Sequence, residues 1–112
     1  MAVRCYKELI GWQKGIELVT DVYRLTQEFP KNEMYGLTSQ IRRAAVSIPS
    51  NIAEGQGRLS RGEFKQFLGH ARASIFELES QIMIARNLDY LTTANASFLL
   101  GRIDELRMPV NS

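Results

Sequence analysis

The chain reads as all-α, and more specifically as a four-helix bundle, on three observations. Apolar residues recur at three- and four-residue spacing through most of its 112 residues, which is the period of a helix with one buried face. No stretch alternates with the period of two that a half-buried strand requires. The periodic runs are separated by the short breaks EFPKNEMYG, GQGRLS and LDYLTT, and short connections favour neighbours packed in an antiparallel, up-and-down order.

The first helix is expected from about Leu9 to Glu28, with Pro30 as its stop. Leu9, Trp12, Ile16, Val19 and Tyr23 make one apolar stripe, and Leu18, Val22, Leu25 and Phe29 a second beside it. A stripe that wide predicts contacts on two sides, with bundle neighbours and with another subunit. The second helix lies within YGLTSQIRRAAVSIPSNIAEGQG, where Leu37, Ile41, Ala44, Ala45, Ile48 and Ile52 share a face and Arg43, Ser47, Ser50 and Glu54 line the opposite one. Pro49 falls inside this pattern. It removes one backbone hydrogen bond and crowds the carbonyl of Ala45, which predicts a kink or local unwinding between Ala45 and Pro49.

Ser60 and Glu63 form a capping box for the third helix, in which hydroxyl and carboxylate each satisfy a free backbone donor. That helix is expected to run to about Leu88 on the stripe Phe64, Phe67, Leu68, Ala71, Ile75, Leu78, Ile82 and Ala85. Arg61, Lys65 and Arg72 make one flank basic, and His70 falls near Glu77 on another. Phe76 and Met83 lie off the stripe on the side of Lys65, which predicts a second buried contact. Thr92 or Thr93 can cap a short fourth helix holding Phe98, Leu99, Leu100, Ile103 and Leu106, stopped by Pro109 before a disordered VNS tail.

A hydrophobic content of 45% over this length supports one domain spanning residues 1–112, with an ordered core at about 8–108. The single Cys5 excludes an internal disulfide, and the N-terminal residues lack the apolar core of a signal peptide. No run is long and apolar enough to span a bilayer, so a cytoplasmic protein is expected. The net charge is only +2, but it is segregated: residues 1–34 balance, residues 35–72 carry +4 and residues 73–112 carry −2. A positive centre of this kind attracts polyanions or forms a merely solvated face.

The candidate polyanion contacts are therefore Arg42, Arg43, Arg58, Arg61, Lys65 and Arg72. Arginine offers a planar fork of donors suited to phosphate, and a cluster gains further from counterion release. The alternative is that Arg42 and Arg43 bridge acidic residues on neighbouring helices or subunits and read nothing. No aromatic residue interleaves with these arginines on an obvious exposed face, so base stacking is not expected, and binding would be backbone-directed. A nucleophile set of Ser47, Ser50, Asn51, Glu54 and His70 lacks the glycine-rich turn or elbow that would converge it. Pro49, Ser50, Asn51, Glu54 and Gly55 read instead as a structural motif, with Ser47 and Ser50 repairing carbonyls freed near Pro49 and Asn51 and Glu54 bridging to arginine. A lone histidine and no Glu-x-x-His pair leave no metal set, and no cofactor is implied.

The series WQK at residues 12–14, VYRLTQEFP, YGLTSQIRRAAVSIPSNIAEGQGR, EFKQFLGHARASIFELESQI and ARNLDYL resembles the bacterial four-helix-bundle family encoded in intervening sequences of 23S ribosomal RNA genes. A related branch is similar to the accessory variability determinant of diversity-generating retroelements. The resemblance covers about residues 12–91 and is most specific over QIRRAAVSIPSNIAEG, residues 40–55. It implies an antiparallel bundle that assembles into a ring-like homopentamer. For the retroelement branch it implies a basic surface that binds nucleic acid and a reverse transcriptase. Typical members continue the fourth helix well past Met108, whereas MPVNS ends it here. These readings point to a non-enzymatic oligomer that offers a basic surface to RNA or a reverse-transcriptase-type partner, with no membrane or small-molecule substrate. The alternative is a purely structural or protein-interaction module without nucleic-acid binding.

Overall fold

The computed structural model describes Tyr6, residues 9–58 and residues 60–106. Cys5, Pro109 and the VNS tail lie outside those residues. Within them the chain is all-α: α1 (Ile10–Thr26), a 3₁₀ turn (Lys31–Glu33), α2 (Leu37–Gln56), α3 (Arg61–Asn87) and α4 (Thr93–Asp104). The 27 residues of α3 span about 40 Å at the α-helical rise. They set the long dimension of a body measuring 44 × 25 × 19 Å.

Helix α2 packs against α1 and α3, and α4 packs against α3 and α1, as in a bundle. Leu18 and Val22 of α1, Ile41 and Ile48 of α2, Leu78 and Ile82 of α3, and Leu99 and Ile103 of α4 are all but fully buried at its centre. These residues come from the stripes expected for each helix. Of the two stripes expected for the first helix, that of Leu18 and Val22, continued past the end of α1 by Phe29, is core, while Ile16 and Tyr23 of the other remain substantially exposed.

Helix α1 ends at Thr26, two residues before the expected Glu28, and Pro30 instead opens the 3₁₀ turn. The Thr26 hydroxyl donates to the Val22 carbonyl at 2.7 Å, an i−4 bond that competes with continued backbone pairing. The turn is tied down by Glu33. One carboxylate oxygen accepts the Leu37 amide at 3.1 Å and caps α2, and the other accepts the Tyr90 hydroxyl at 2.9 Å. Tyr90, in the connection between α3 and α4, also packs its ring 5.4 Å from that of Phe29. The segment EFPKNEMYG is thus a built cap as well as a break.

Helix α2 stays α-helical through Pro49, so the expected local unwinding does not occur. Pro49 is buried, and a Cβ added at Gly15 of α1 would lie 3.1 Å from its Cβ and 3.3 Å from its Cδ. The proline ring therefore sits against a residue with no side chain. Among the described residues, no serine hydroxyl next to Pro49 bonds a backbone carbonyl either. The Ser47 hydroxyl lies 2.6 Å from that of Ser74 on α3, and the Asn51 amide donates to the Ser47 carbonyl at 2.7 Å and to its hydroxyl at 3.0 Å. The polar atoms near Pro49 are spent on joining α2 to α3 and on a side-chain bond within α2. Farther along, a Cβ at Gly55 would meet the Cβ of Phe67 at 3.0 Å, so glycine permits the close approach of the first turns of α3.

Ser60 caps α3 as expected, its hydroxyl accepting the Glu63 amide at 3.0 Å. The reciprocal half of the box differs, because the Glu63 carboxylate accepts the Ser60 hydroxyl at 3.1 Å. At its other end α3 closes through Asp89, whose φ of 63° lies in the left-handed region that Asp tolerates better than most residues. Thr92 then caps α4 by accepting the Asn95 amide at 3.0 Å. Arg102 seats α4 on α1 through Glu17 at 3.0 Å and Asp21 at 3.2 Å, and Lys14 reaches Glu105 at 3.3 Å.

Candidate nucleic-acid interface

The six basic residues singled out from the sequence fall into three environments. Arg42 is engaged inside the monomer. Its Nε donates to the Thr26 hydroxyl at 2.9 Å, a terminal nitrogen donates to the Tyr23 carbonyl at 3.4 Å, and the guanidinium lies 4.5 Å from the Tyr23 ring centroid. It clamps α2 to the end of α1 through neutral partners, where a salt bridge was the alternative expected. Arg58 pairs with Glu54 one turn earlier at 2.8 Å and covers the Phe67 ring at 4.6 Å.

Arg43, Arg61, Lys65 and Arg72 form the third group. All four are exposed, and among the described residues none has an acidic partner. The Ser60 cap makes Arg61 the first residue of α3. Lys65 follows by four residues and Arg72 by eleven, spacings that return to one helix face and extend over roughly 16 Å of helix axis. Phe76 continues the same row one turn beyond Arg72, and it is 51% exposed. An exposed aromatic therefore stands at the end of the basic row, although none interleaves with its cations. The signal was present in the sequence as the shared side of Phe76 and Lys65, where it reads equally well as a buried contact.

The structural motif is only partly as expected. Glu54 does meet an arginine, Arg58, but Asn51 bonds Ser47 and meets none. Gly55 is buried against α3, and Ser50 is exposed on the outer face of α2. His70 packs edge-on to Phe67, with centroids 5.9 Å apart, while Glu77, expected beside it, accepts from the Gln81 side chain at 3.2 Å. Among the described residues no hydrogen bond joins Ser47, Ser50, Glu54 and His70 to one another: Ser47 meets Ser74 and Asn51, Glu54 pairs with Arg58, and His70 packs on Phe67. Among the described residues no three His, Cys, Asp or Glu side chains come together to hold a metal ion, and no helix is long and apolar enough to cross a membrane.

A surface groove of about 290 Å³ separates α1 from α2 on the outside of the bundle. Trp12, Ile16 and Val19 line one wall and Val46, Pro49, Ser50 and Ala53 the other, with Tyr6 at the end. Its walls are mainly apolar, with Ser50 and Tyr6 the hydroxyl-bearing residues among them, so it offers shape and hydrophobic area with little chemistry for a reaction.

Comparison with known proteins bears on the same residues. No curated protein matches the chain. A family model described as 23S rRNA-intervening sequence protein matches residues 7–112. That span contains all four helices, the Pro49 segment and the exposed basic row, and its description names no reaction. On this match, the chain belongs to the 23S rRNA-intervening sequence protein family.

Proposed function

We propose that this protein is a non-enzymatic, cytoplasmic oligomer that presents a basic surface to RNA, to a ribonucleoprotein or to a reverse-transcriptase-type protein partner. The observation that carries the reading is the row Arg61, Lys65 and Arg72 on α3, with Arg43 on α2 a further such residue: exposed cations without acidic partners among the described residues. A cation that is not internally neutralised keeps its attraction for phosphate, and each phosphate it neutralises on a single strand adds about 0.7 to the slope of log affinity against log salt. Arg42 and Arg58 contribute less, because their guanidinium groups are already spent on Thr26, Tyr23, Glu54 and Phe67.

The monomer in this reading is an antiparallel up-and-down bundle. Support comes from the order of the contacts: residues Gly11, Gly15 and Tyr23 of α1 face Ile52, Pro49 and Arg42 of α2 in descending order. Subunits assemble into a homopentamer through the outer stripe of α1, that of Trp12, Ile16, Val19 and Tyr23. The half-exposed Ile16 and Val46 of the α1–α2 groove, with Tyr23 farther along the same stripe, favour such a contact, because apolar area of this kind is more stable covered. The same area favours a second reading, a protein-interaction module that binds no nucleic acid.

Titration of labelled RNA across a salt series separates the two. Steep weakening with salt, and loss of binding on charge reversal at Arg43, Arg61, Lys65 and Arg72, is expected for an RNA-binding oligomer. Salt-independent or absent binding would leave the interaction module. Light scattering at micromolar concentration tests the assembly, and a monomer there contradicts it.

A further inference from the structure

The basic row of α3 leads directly to Phe76, and the surroundings of that ring differ from those of the other exposed aromatics. Tyr23 is covered by Arg42 at 4.5 Å and Phe98 by Arg102 at 5.3 Å. Tyr35 is 94% exposed but belongs to the connection between the 3₁₀ turn and α2, away from the basic row. Phe76 is 51% exposed, lies on the basic helix itself, and has no aromatic or cationic group over its ring among the described residues. Its Cα follows that of Arg72 by four residues, about 6 Å along the axis and nearly on the same face.

We propose that the RNA taken by this row is single-stranded, with its phosphates on Arg61, Lys65 and Arg72 and one of its bases stacked on Phe76. The inference rests on the RNA-binding reading above and adds the form of the RNA to it. A duplex keeps its bases paired and stacked and could use only the cations. A single strand can turn a base outward, and a phenyl ring beside a line of cations gains from any base, because every base has a π-face. The arrangement therefore discriminates by strandedness and not by sequence.

The test uses fluorescence anisotropy with a labelled oligoadenylate of about 15 nucleotides, alone and annealed to oligouridylate. The wild-type protein is expected to bind the single strand more tightly than the duplex. Phe76→Ala is expected to weaken single-strand binding roughly 5- to 100-fold and to leave duplex binding unchanged. Phe76→Trp should retain or tighten single-strand binding, whereas Phe76→Leu, which keeps the apolar bulk without the ring, should behave like alanine. The ring is half exposed, so all three variants should fold, which circular dichroism checks.

Equal binding of the two RNA forms by the wild type would overturn the inference and leave the RNA reading intact. So would retention of binding in the leucine variant. A fall in oligomeric mass for Phe76→Ala would place the ring in a subunit contact and overturn it differently. Failure of the wild type to bind either RNA would overturn the RNA reading and this inference together.

Discussion

Arg42→Ala and Arg43→Ala exchange neighbouring arginines of one helix for the same residue, and the structure predicts opposite consequences. Arg42 donates to Thr26, a residue only 3% exposed, at 2.9 Å and covers the Tyr23 ring at 4.5 Å. A hydrogen bond from a charged donor is worth roughly 1.5–3 kcal/mol, and a partly exposed cation–π contact roughly 0.5–1 kcal/mol. Because Arg42 is itself half-buried, the lower part of each range applies, and Arg42→Ala should cost about 2 kcal/mol.

Arg43 is exposed and has no partner among the described residues, so Arg43→Ala should change stability by less than about 0.5 kcal/mol. Urea unfolding followed by circular dichroism reads the difference. With a slope of about 2 kcal/mol per molar urea, Arg42→Ala should lower the midpoint by about 1 M at unchanged slope. Under native conditions the order reverses for RNA, where Arg43→Ala should weaken binding and Arg42→Ala should change it by less than about two-fold. Equal destabilisation by both substitutions, or a neutral Arg42→Ala, would refute the division of labour drawn between them.

Glycine positions give a second contrast. Gly15→Leu should destabilise by about 1–3 kcal/mol, because even a Cβ would lie 3.1 Å from that of buried Pro49, whereas Gly69→Ala meets nothing within 4 Å and should stabilise α3 by about 0.5–1 kcal/mol. Thermal melts of the two variants should move in opposite directions. Arg102→Ala leaves the shielded Oδ2 of Asp21 without its counter-charge at 3.2 Å and should cost about 1–3 kcal/mol, with Asp21→Asn recovering part of the loss in the double mutant. The Tyr90 pKa is raised above its ordinary 10.0 by its hydrogen bond to Glu33, with burial and the Glu33 charge adding to the shift. The folded state thus holds this proton more tightly than the unfolded chain does. Its stabilisation is full below the unfolded pKa and is lost as pH rises through the folded one. Tyr90→Phe should therefore flatten the alkaline fall in stability measured by urea midpoints above about pH 10.

Helix identity and core composition were legible because burial enforces a 3.6-residue period, and Leu18, Ile41, Ile48, Leu78, Ile82, Leu99 and Ile103 all stand where that period puts them. Caps with local signatures were legible too, as at Ser60 and Thr92. What the sequence hid depends on side chains brought together from distant positions. The role of Arg42 is set by Thr26 and Tyr23, sixteen and nineteen residues away. That of Pro49 is set by Gly15 across a helix interface, and that of Ser47 by Ser74. Local rules assigned the Ser47 hydroxyl to backbone near Pro49, and charge alone assigned Arg42 to phosphate or to a carboxylate on a neighbouring helix or subunit, because a single sequence does not show which neutral groups another helix brings within reach. In the basic row the spacing was visible, but exposure was not: Phe76 reads as core or as surface until its surroundings are known.

The most direct measurement is RNA affinity as a function of salt, taken on the wild type and on the variant Arg43→Glu, Arg61→Glu, Lys65→Glu and Arg72→Glu after circular dichroism shows both to be folded. The account predicts a wild-type slope of up to about −2.8 for four single-strand phosphate contacts and no measurable binding by the variant. A flat salt response, or a variant that binds as well as the wild type, would contradict it.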